Sequence, residues 1–472
     1  MVLSPLMKTL FRRRISSEEL GEHKLKPVLG AWDLTLLGIG GIIGIGIFVL
    51  PGIAAATQAG PGVVISFVVA GFACACAAMA YAELAASVGG CGSAYGYSYA
   101  AFGEIIAWII GWDLILEYGV GLAAVATGWS GYFKNALTAL GTSLPDVLTA
   151  GPLAGGWVNL PALAIVAGLT FILLMGVKGS ARLNNVMVFI KLFAIAVFIV
   201  VASQHIKPEL WHPFMPFGWF STTADGHTVG VLAAASVVFF AYIGFDAVSI
   251  AVEETIEPQK NVPIGILASR GVCTVLYIVV SGLLTSIVPY KDLNVASPVA
   301  HALLLLGINW ATALIGVAVL AGLTTVMIVL FYGLTRVIFA MARDGLLPEF
   351  MGQLNAKTHV PVNTTVLCGV LIALTAGFVP LGVLAELVNI GTLVAFVLVC
   401  GGVIVMRLRH PDMLRPFKSP FGLTFPILGV LSCAALIAFL PLITHVRFFV
   451  WLAVGAVIYF AYGMKKSRLV TI

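Results

Sequence analysis

Charged residues are scarce in this chain. Lysine, arginine, aspartate and glutamate make up 10% of its 472 residues, whereas hydrophobic residues make up 60% and the mean hydropathy is +1.08. About a quarter of the residues of a typical soluble domain are charged, so this composition excludes an ordinary soluble globule. The composition indicates a polytopic helical membrane protein.

Several common functional signatures are also missing. The seven cysteines form no C-x-x-C pair and the eight histidines form no H-E-x-x-H motif, so we expect no disulfide framework, no metal site, no cofactor and no membrane enzyme. The net charge of +5 comes from basic residues dispersed between apolar runs, so no nucleic-acid partner is expected. The first 31 residues are polar, and nothing in them resembles a cleaved signal peptide.

Apolar runs of about 20 residues, the length that spans a bilayer, recur along the chain and predict twelve transmembrane helices. The even number places both termini on one side, and lysine and arginine concentrate in the connections on that side, so the positive-inside rule predicts cytoplasmic termini in the plasma or inner membrane. The runs begin near Trp32, Gly62, Phe102, Leu160, Asn185, Val229, Ile264, Ala311, Asn363, Val383, Phe425 and Phe448.

The first span contains GIGGIIGIGIF, residues 38–48, with five glycines in nine residues. Each glycine disfavours a helix by about 1 kcal/mol relative to alanine, so we expect a helix that is broken within the membrane. Unwound backbone at that depth must be buried or line a cavity, and the two half-helix ends complement a zwitterion such as an amino acid. The alternative is that these glycines only let helices pack closely.

A second interruption, FFAYIGFDAVS, lies in span six around Gly244 and Asp246. Breaks centred at Gly44 and Gly244 are what an inverted repeat of five plus five helices would bring together at the membrane midplane. We therefore predict an N-terminal cytoplasmic segment (1–31), a first repeat (32–205), a second repeat (206–410), and helices eleven and twelve with a short tail (411–472).

Acidic residues inside the spans are candidate site residues, since an ionisable group at the bilayer centre costs on the order of 3 kcal/mol. Glu117 lies midway along span three, one turn after Asp113. Glu117 either pairs with a basic substrate side chain or a proton, or bonds a neighbouring hydroxyl and fixes helix packing. Asp246 either receives the far end of a long substrate or caps the half-helix that follows it. Glu83 and Glu104, near span ends, are interpreted as structural or gating contacts.

Several motifs in order resemble the amino acid–polyamine–organocation (APC) superfamily, specifically its cationic-amino-acid-transporter-like branch. They are LGAWDLTLLGIGGIIGIGIFVLPG, GSAYGYSYAAFGEIIAWIIGWDLILEYG, FFAYIGFDAVSIAVEETIEPQKNVPIGI, TRVIFAMARDGLLP and NIGTLVAFVLV, and they extend over almost the whole chain. The resemblance implies an all-α LeuT-type fold with helices 1 and 6 broken.

The resemblance also implies a substrate site at the two breaks. The substrate carboxylate would lie on the amides of Gly44, Ile45 and Gly46, in the unwound stretch that includes Ile43. Its amine would meet the backbone carbonyl oxygens of Ile42, Phe240, Ala241 and Ile243.

Two basic residues lie within predicted spans. Lys191 is about 12 Å deep in span five at 1.5 Å per residue. Its structural interpretation is a buried ion pair or hydrogen bonds to carbonyls. In the related fold this region helps form a sodium site, so the ammonium would replace the metal, and proton coupling is the functional hypothesis. Arg270 lies close enough to a span end for its side chain to reach the membrane surface.

We therefore predict a secondary active L-amino acid transporter, coupled to protons by Lys191 and working by alternating access. An exchanger, a sodium symporter and an amino acid sensor are the alternatives. The expected partners are an amino acid, a proton and the lipid bilayer, and the sequence leaves an accessory subunit unspecified.

Overall fold

The computed structural model describes residues 29–88, 94–139, 141–174, 181–223, 228–355 and 360–468. Most of the predicted N-terminal segment, residues 1–28, therefore lies outside the described part. Within the described ranges the chain forms eighteen α-helices and one short hairpin, β1 Ser221–Thr222 paired antiparallel with β2 Thr228–Val229. The first nine helices are α1 Ala31–Ile42, α2 Ile45–Phe48, α3 Leu50–Ala54, α4 Val63–Val88, α5 Ala94–Ala101, α6 Glu104–Ala139, α7 Leu160–Leu174, α8 Ala181–Ser203 and α9 Val231–Val238. The other nine are α10 Ala247–Ile250, α11 Pro258–Ile287, α12 Pro298–Leu305, α13 Asn309–Arg343, α14 Val362–Phe378, α15 Leu381–Arg409, α16 Thr424–Ala438, α17 Leu442–Ile458 and α18 Met464–Lys466.

Seven helical stretches of the described residues are long and apolar enough to cross a membrane. Five shorter apolar helices accompany them, and these coincide with predicted spans one, four, six, nine and eleven. The long stretches are Leu50–Val88, Glu104–Thr138, Asn185–Ser203, Pro258–Ile287, Asn309–Arg343, Leu381–Arg409 and Leu442–Lys466. The shorter helices are Ala31–Ile42, Leu160–Leu174, Val231–Tyr242, Val362–Phe378 and Thr424–Ala438.

The long helices pack around the two interrupted ones. α11 packs against both α1 and α4, α13 packs along α6, and α15 lies between α6 and α16. Large apolar side chains remain exposed on the outward faces, including Phe193 of α8, Val275 of α11 and Phe449 of α17. An apolar outer surface of this kind is what contact with lipid requires.

The chain is interrupted at both predicted positions. α1 ends at Ile42 and α2 begins at Ile45, while α9 continues as a 3-10 turn, Phe239–Tyr242, and α10 begins only at Ala247. Gly244 has φ +110°, a conformation that side-chain-bearing residues rarely adopt. A Cβ atom on Gly244 would lie 2.8 Å from the carbonyl oxygen of Gly41, so the two interrupted backbones are in direct contact.

The buried glutamates near span ends both have protein partners. Glu83 makes a two-pronged ion pair with Arg407 of α15, with Nε–Oε1 and Nη2–Oε2 distances of 2.7 and 2.5 Å. Glu104 is fully buried and accepts hydrogen bonds from the hydroxyls of Tyr459 and Ser467, at 2.9 and 2.6 Å. Both contacts join segments far apart in sequence.

The last described residues lie against the ends of α6 and α13. The backbone N–H of Arg468 donates to the carbonyl oxygen of Asp344 at 3.0 Å, and its guanidinium pairs with Glu349. Together with the hydrogen bond from the Ser467 hydroxyl to Glu104, these contacts attach residues 467–468 to the start of α6 and the end of α13.

Candidate functional site

A small cavity lies where the two breaks meet α6 and α13. Its volume is about 20 Å³, enough for roughly one water molecule and too small for an amino acid. The conformation described is therefore closed around the candidate site. The predicted site residues that line the cavity are Ile42, Gly44, Ile45, Gly46, Glu117, Phe240 and Ile243, whereas Ile43, Ala241, Asp246 and Lys191 are not part of its wall.

The glycines of the first break fall into two groups. A Cβ atom on Gly46 would overlap Ala241, and one on Gly41 would lie 3.0 Å from the Gly244 carbonyl oxygen, so both serve close packing. On Gly44 the nearest atom would be Cγ2 of Val326 at 3.5 Å, an ordinary van der Waals contact. Gly41 and Gly46 line the cavity and also serve close packing, whereas Gly44 lines it with room for a methyl group.

Tyr277 of α11 joins the two breaks. Its hydroxyl oxygen lies 2.9 Å from the Ile42 carbonyl oxygen and 2.5 Å from that of Ala241. A phenol has one proton to donate, so it satisfies one of these carbonyls at a time. Both carbonyls belong to the set predicted to meet a substrate amine, and each retains a second lone pair. Tyr277 is a functional candidate that sequence reasoning missed, because a tyrosine in an apolar span is not distinctive.

Lys191 reaches the first break from α8. Its ammonium donates to the Gly40 carbonyl oxygen at 2.8 Å, and the side chain is 1% exposed. The aliphatic stem lies against Gly322 of α13, where a Cβ atom would be 2.9 Å from Lys191 Cγ and Cε. One side chain therefore connects α8, α1 and α13.

Arg270 does not extend to the membrane surface, so that expectation is wrong. The residue is 3% exposed, its Nη1 donates to the Tyr242 carbonyl oxygen at 3.2 Å, and its guanidinium carbon lies 4.3 Å from the centre of the Tyr242 ring and 5.2 Å from that of Phe245. The unwound stretch of span six supplies one carbonyl and two aromatic faces to the cation, while Nε and Nη2 of Arg270 donate to no described residue.

Asn389 of α15 holds the end of the other half-helix. Its side-chain amide donates to the carbonyl oxygens of Ser236 and Val237, at 2.8 and 3.0 Å. These carbonyls lie in the last turn of α9, where regular helical bonding ends. A polar residue in an otherwise apolar span was the available signal for Asn389, and sequence reasoning did not use it.

Of the three acidic residues near the cavity, Glu117 is part of its wall, whereas Asp113 and Asp246 are not. Glu117 lines it, is 2% exposed, and its Oε1 accepts no hydrogen bond from the described residues. Asp246 accepts a hydrogen bond from the Tyr118 hydroxyl and makes no side-chain capping bond to α10, contrary to the capping alternative. Asp113, one turn before Glu117, is fully buried.

Comparisons with known proteins cover nearly the whole chain. A family model described as amino acid permease matches residues 29–462. The branched-chain amino acid permease BcaP of Bacillus subtilis (strain 168) is 50% identical, over 95% of this chain and 96% of its own length. The methylthioribose transporter of the same organism is 46% identical over 98% and 100%. The vacuolar cationic amino acid transporter 4 of Arabidopsis thaliana is 36% identical over 86% and 68%.

Proposed function

Because this chain belongs to the amino acid permease family, whose members are membrane transporters and not enzymes, we propose that it carries an L-amino acid into the cell by proton-coupled symport. The chain is a multi-pass membrane protein. The proposal adds the direction of transport, the coupling ion, the cell membrane as the location and the cytoplasmic position of both termini. The distribution of lysine and arginine supports the position of the termini.

We also propose a LeuT-type architecture of twelve transmembrane helices with a five-plus-five inverted repeat. The order of long and short apolar helices supports it, since the interrupted helices α1 and α9 stand first and sixth among the twelve stretches. Their contact through Gly41 and Gly244 agrees with two breaks that converge on one site.

The substrate would occupy the cavity once the closed conformation expands. Its carboxylate would take the amides of Gly44, Ile45 and Gly46, where α2 begins. Its amine would take free lone pairs of the carbonyl oxygens of Ile42, Phe240, Ala241 and Ile243. Of the described residues that line the cavity, only Glu117 carries a carboxyl group and the others are apolar or glycine, so Glu117 is the residue that would receive a cationic side chain.

Proton coupling rests on one observation, the Lys191 ammonium on the Gly40 carbonyl. A buried ammonium needs hydrogen-bond acceptors, and this one is held by the backbone just before the break. If α1 moves away from α8 during inward opening and the ammonium itself stays out of water, Lys191 loses that acceptor and its charged form is disfavoured. The proton then passes to water at the cytoplasmic opening. The proton would then travel with the substrate in each cycle.

The test is uptake into vesicles that contain only this protein, with an imposed pH gradient and no sodium. We expect Lys191→Ala to retain substrate binding and to lose proton-driven accumulation. Lys134→Ala is the matched control, because Lys134 pairs with Asp146 at a partly exposed site and not with the break. Undiminished accumulation in Lys191→Ala would remove that residue from coupling, and a strict sodium requirement in the parent would overturn proton symport.

A further inference from the structure

A second buried carboxyl group lies outside the cavity and outside the Lys191 contact. We propose that Asp113 is a proton-binding site, occupied by a proton in this closed conformation. The inference deepens the proposed coupling and rests on it for its place in the transport cycle. The occupancy of Asp113 itself follows from the surroundings of the side chain.

Asp113 has no compensating partner in the described part of the chain. The residue is 0% exposed, and neither carboxyl oxygen accepts a hydrogen bond from any residue that the structure describes. None of the ion pairs found among the described residues includes it. An ionised carboxylate that is removed from water without a donor or a cation is strongly disfavoured, whereas the protonated acid is neutral.

The helix opposite is shaped to receive this carboxyl group. Gly391 of α15 faces Asp113, and a Cβ atom there would lie 2.5 Å from Asp113 Oδ1 and 3.4 Å from Cγ. The carboxyl group therefore occupies the space that a side chain at position 391 would fill. Its burial is a specific feature of the α6–α15 contact.

The nearest charged groups are acidic and add to the case. Glu117 follows one turn later on α6, and its carboxyl group interacts electrostatically with Asp113 and with Asp246 beyond the cavity. Like charges at this spacing disfavour simultaneous ionisation. A proton on Asp113 removes a negative charge that would otherwise lie beside Glu117.

The other charged groups on helices that pack against α6 either have partners elsewhere or lie near the end of their helix. On α15, Glu386 accepts a hydrogen bond from Thr444, and Arg407 pairs with Glu83. The remaining charged residue of α15 is Arg409, the last residue of the helix. It lies about 27 Å along the helix from Gly391, at 1.5 Å per residue.

On α13, Arg336 and Arg343 lie over the rings of Tyr332 and Phe339. On α17, the His445 ring nitrogen contacts the Pro441 carbonyl oxygen, and Arg447 lies in the same first turns.

The tyrosines of α5 complete this set. Tyr95 donates to Asp344, and Tyr97 and Tyr99 carry hydroxyls without hydrogen-bond partners among the described residues. Helices α2, α7 and α14, which also contact α6, contain no Asp, Glu, Lys, Arg or His. Among the residues that the structure describes, therefore, no cation pairs with Asp113 to hold it in its ionised form.

The proton enters and leaves by simple acid dissociation. Water that reaches the α6–α15 contact takes the proton from the carboxylic acid and leaves the carboxylate, and reclosure returns a proton from water to the same oxygen. Asp113 thus stores a proton when the contact is dry and releases it when the contact is wet. Lys191 is in contact with α1 and α13, so the two sites respond to different movements.

Infrared spectroscopy of the purified full chain tests the occupancy directly. A protonated carboxyl group gives a carbonyl stretching band that an ionised one lacks. At neutral pH we expect Asp113→Asn to lose one component of that band. The exposed Asp146→Asn is the matched control and should leave the band unchanged, because the hydrogen bond from Lys134 lowers the pKa of Asp146 and keeps it ionised.

A second variant covers the case in which Asp113→Asn does not fold. Gly391→Ala leaves Asp113 in place and forces its carboxyl group to move, so the same component should shift in frequency. A band unaltered by Asp113→Asn, or by Gly391→Ala where the first variant cannot be purified, overturns the proposal. The infrared measurement does not depend on transport. A parent protein that fails to use a proton gradient would therefore refute the proposed function, whereas the infrared band alone decides whether Asp113 is protonated.

Discussion

Two glycines only two residues apart should respond in opposite ways to the same substitution. Gly44→Ala adds a methyl group whose nearest neighbours would be Val326 Cγ2 at 3.5 Å and Leu323 Cδ2 at 3.9 Å. These are ordinary contacts, so the free energy of unfolding should change by no more than about 1 kcal/mol. Gly46→Ala places its methyl group on the backbone of Ala241, and such overpacking costs about 1–3 kcal/mol.

Substrate binding should show the reverse order. The methyl group of Gly44→Ala enters a cavity of about 20 Å³ and blocks the approach of a carboxylate to the amides of the break. We expect affinity to fall by more than about tenfold, or 1.4 kcal/mol. Gly46→Ala should mainly lower the free energy of unfolding, and substrate affinity should fall only as far as the contact with Ala241 is distorted.

Thermal unfolding of the purified variants, with and without amino acids, separates the two effects. A ligand that binds only the native state raises apparent stability by RT ln(1 + [L]/Kd), so the parent identifies the amino acid to use. Gly44→Ala should unfold at the parental temperature without the ligand and should lose the ligand-induced shift. Parental affinity in Gly44→Ala would refute the role assigned to that backbone, and parental stability in Gly46→Ala would refute the close contact with Ala241.

Three further outcomes are expected. Glu117→Gln should weaken arginine or lysine binding more than alanine binding, because only cationic side chains lose a charge partner; equal losses in competition binding would assign Glu117 to structure or proton transfer. Tyr277→Phe should lower the free energy of unfolding by about 1–3 kcal/mol, since two buried carbonyls lose their shared donor, and an unchanged denaturation midpoint would contradict this. A reporter that is active only outside the cytoplasm should be silent when fused at Ile472, and activity there would reverse the proposed orientation.

The interrupted helices could be predicted because their cause is local. Glycine density in residues 38–46 and the Gly244–Asp246 pair act on the helix that contains them, and the structure has breaks at both positions. The burial of Lys191 could also be anticipated, since its depth follows from its place in an apolar run. The particular acceptor, the Gly40 carbonyl, required the fold, because it lies 151 residues away.

The residues that join the breaks could not be found in this way. Tyr277 meets carbonyls 235 and 36 residues away, and no periodicity encodes such contacts. Arg270 was expected at the membrane surface because it lies near the end of a span. Position along a span does not show which side of the helix faces protein, so its burial could not be predicted. Its stacking on Tyr242 and Phe245 depends on how α11 packs against the second break.

The order in which the chain is synthesised gives the C-terminal contacts a further consequence. Glu104 enters the membrane early, yet the two hydroxyls that donate to it belong to Tyr459 and Ser467, which are synthesised 355 and 363 residues later. We expect the helix bundle to reach its final packing only after the ribosome has released Tyr459 and Ser467, so a chain terminated before them should be more accessible to membrane proteases. In pulse-chase experiments a chain that stops at Ile458 should be degraded faster than the full chain, and equal lifetimes would argue against this role for the tail.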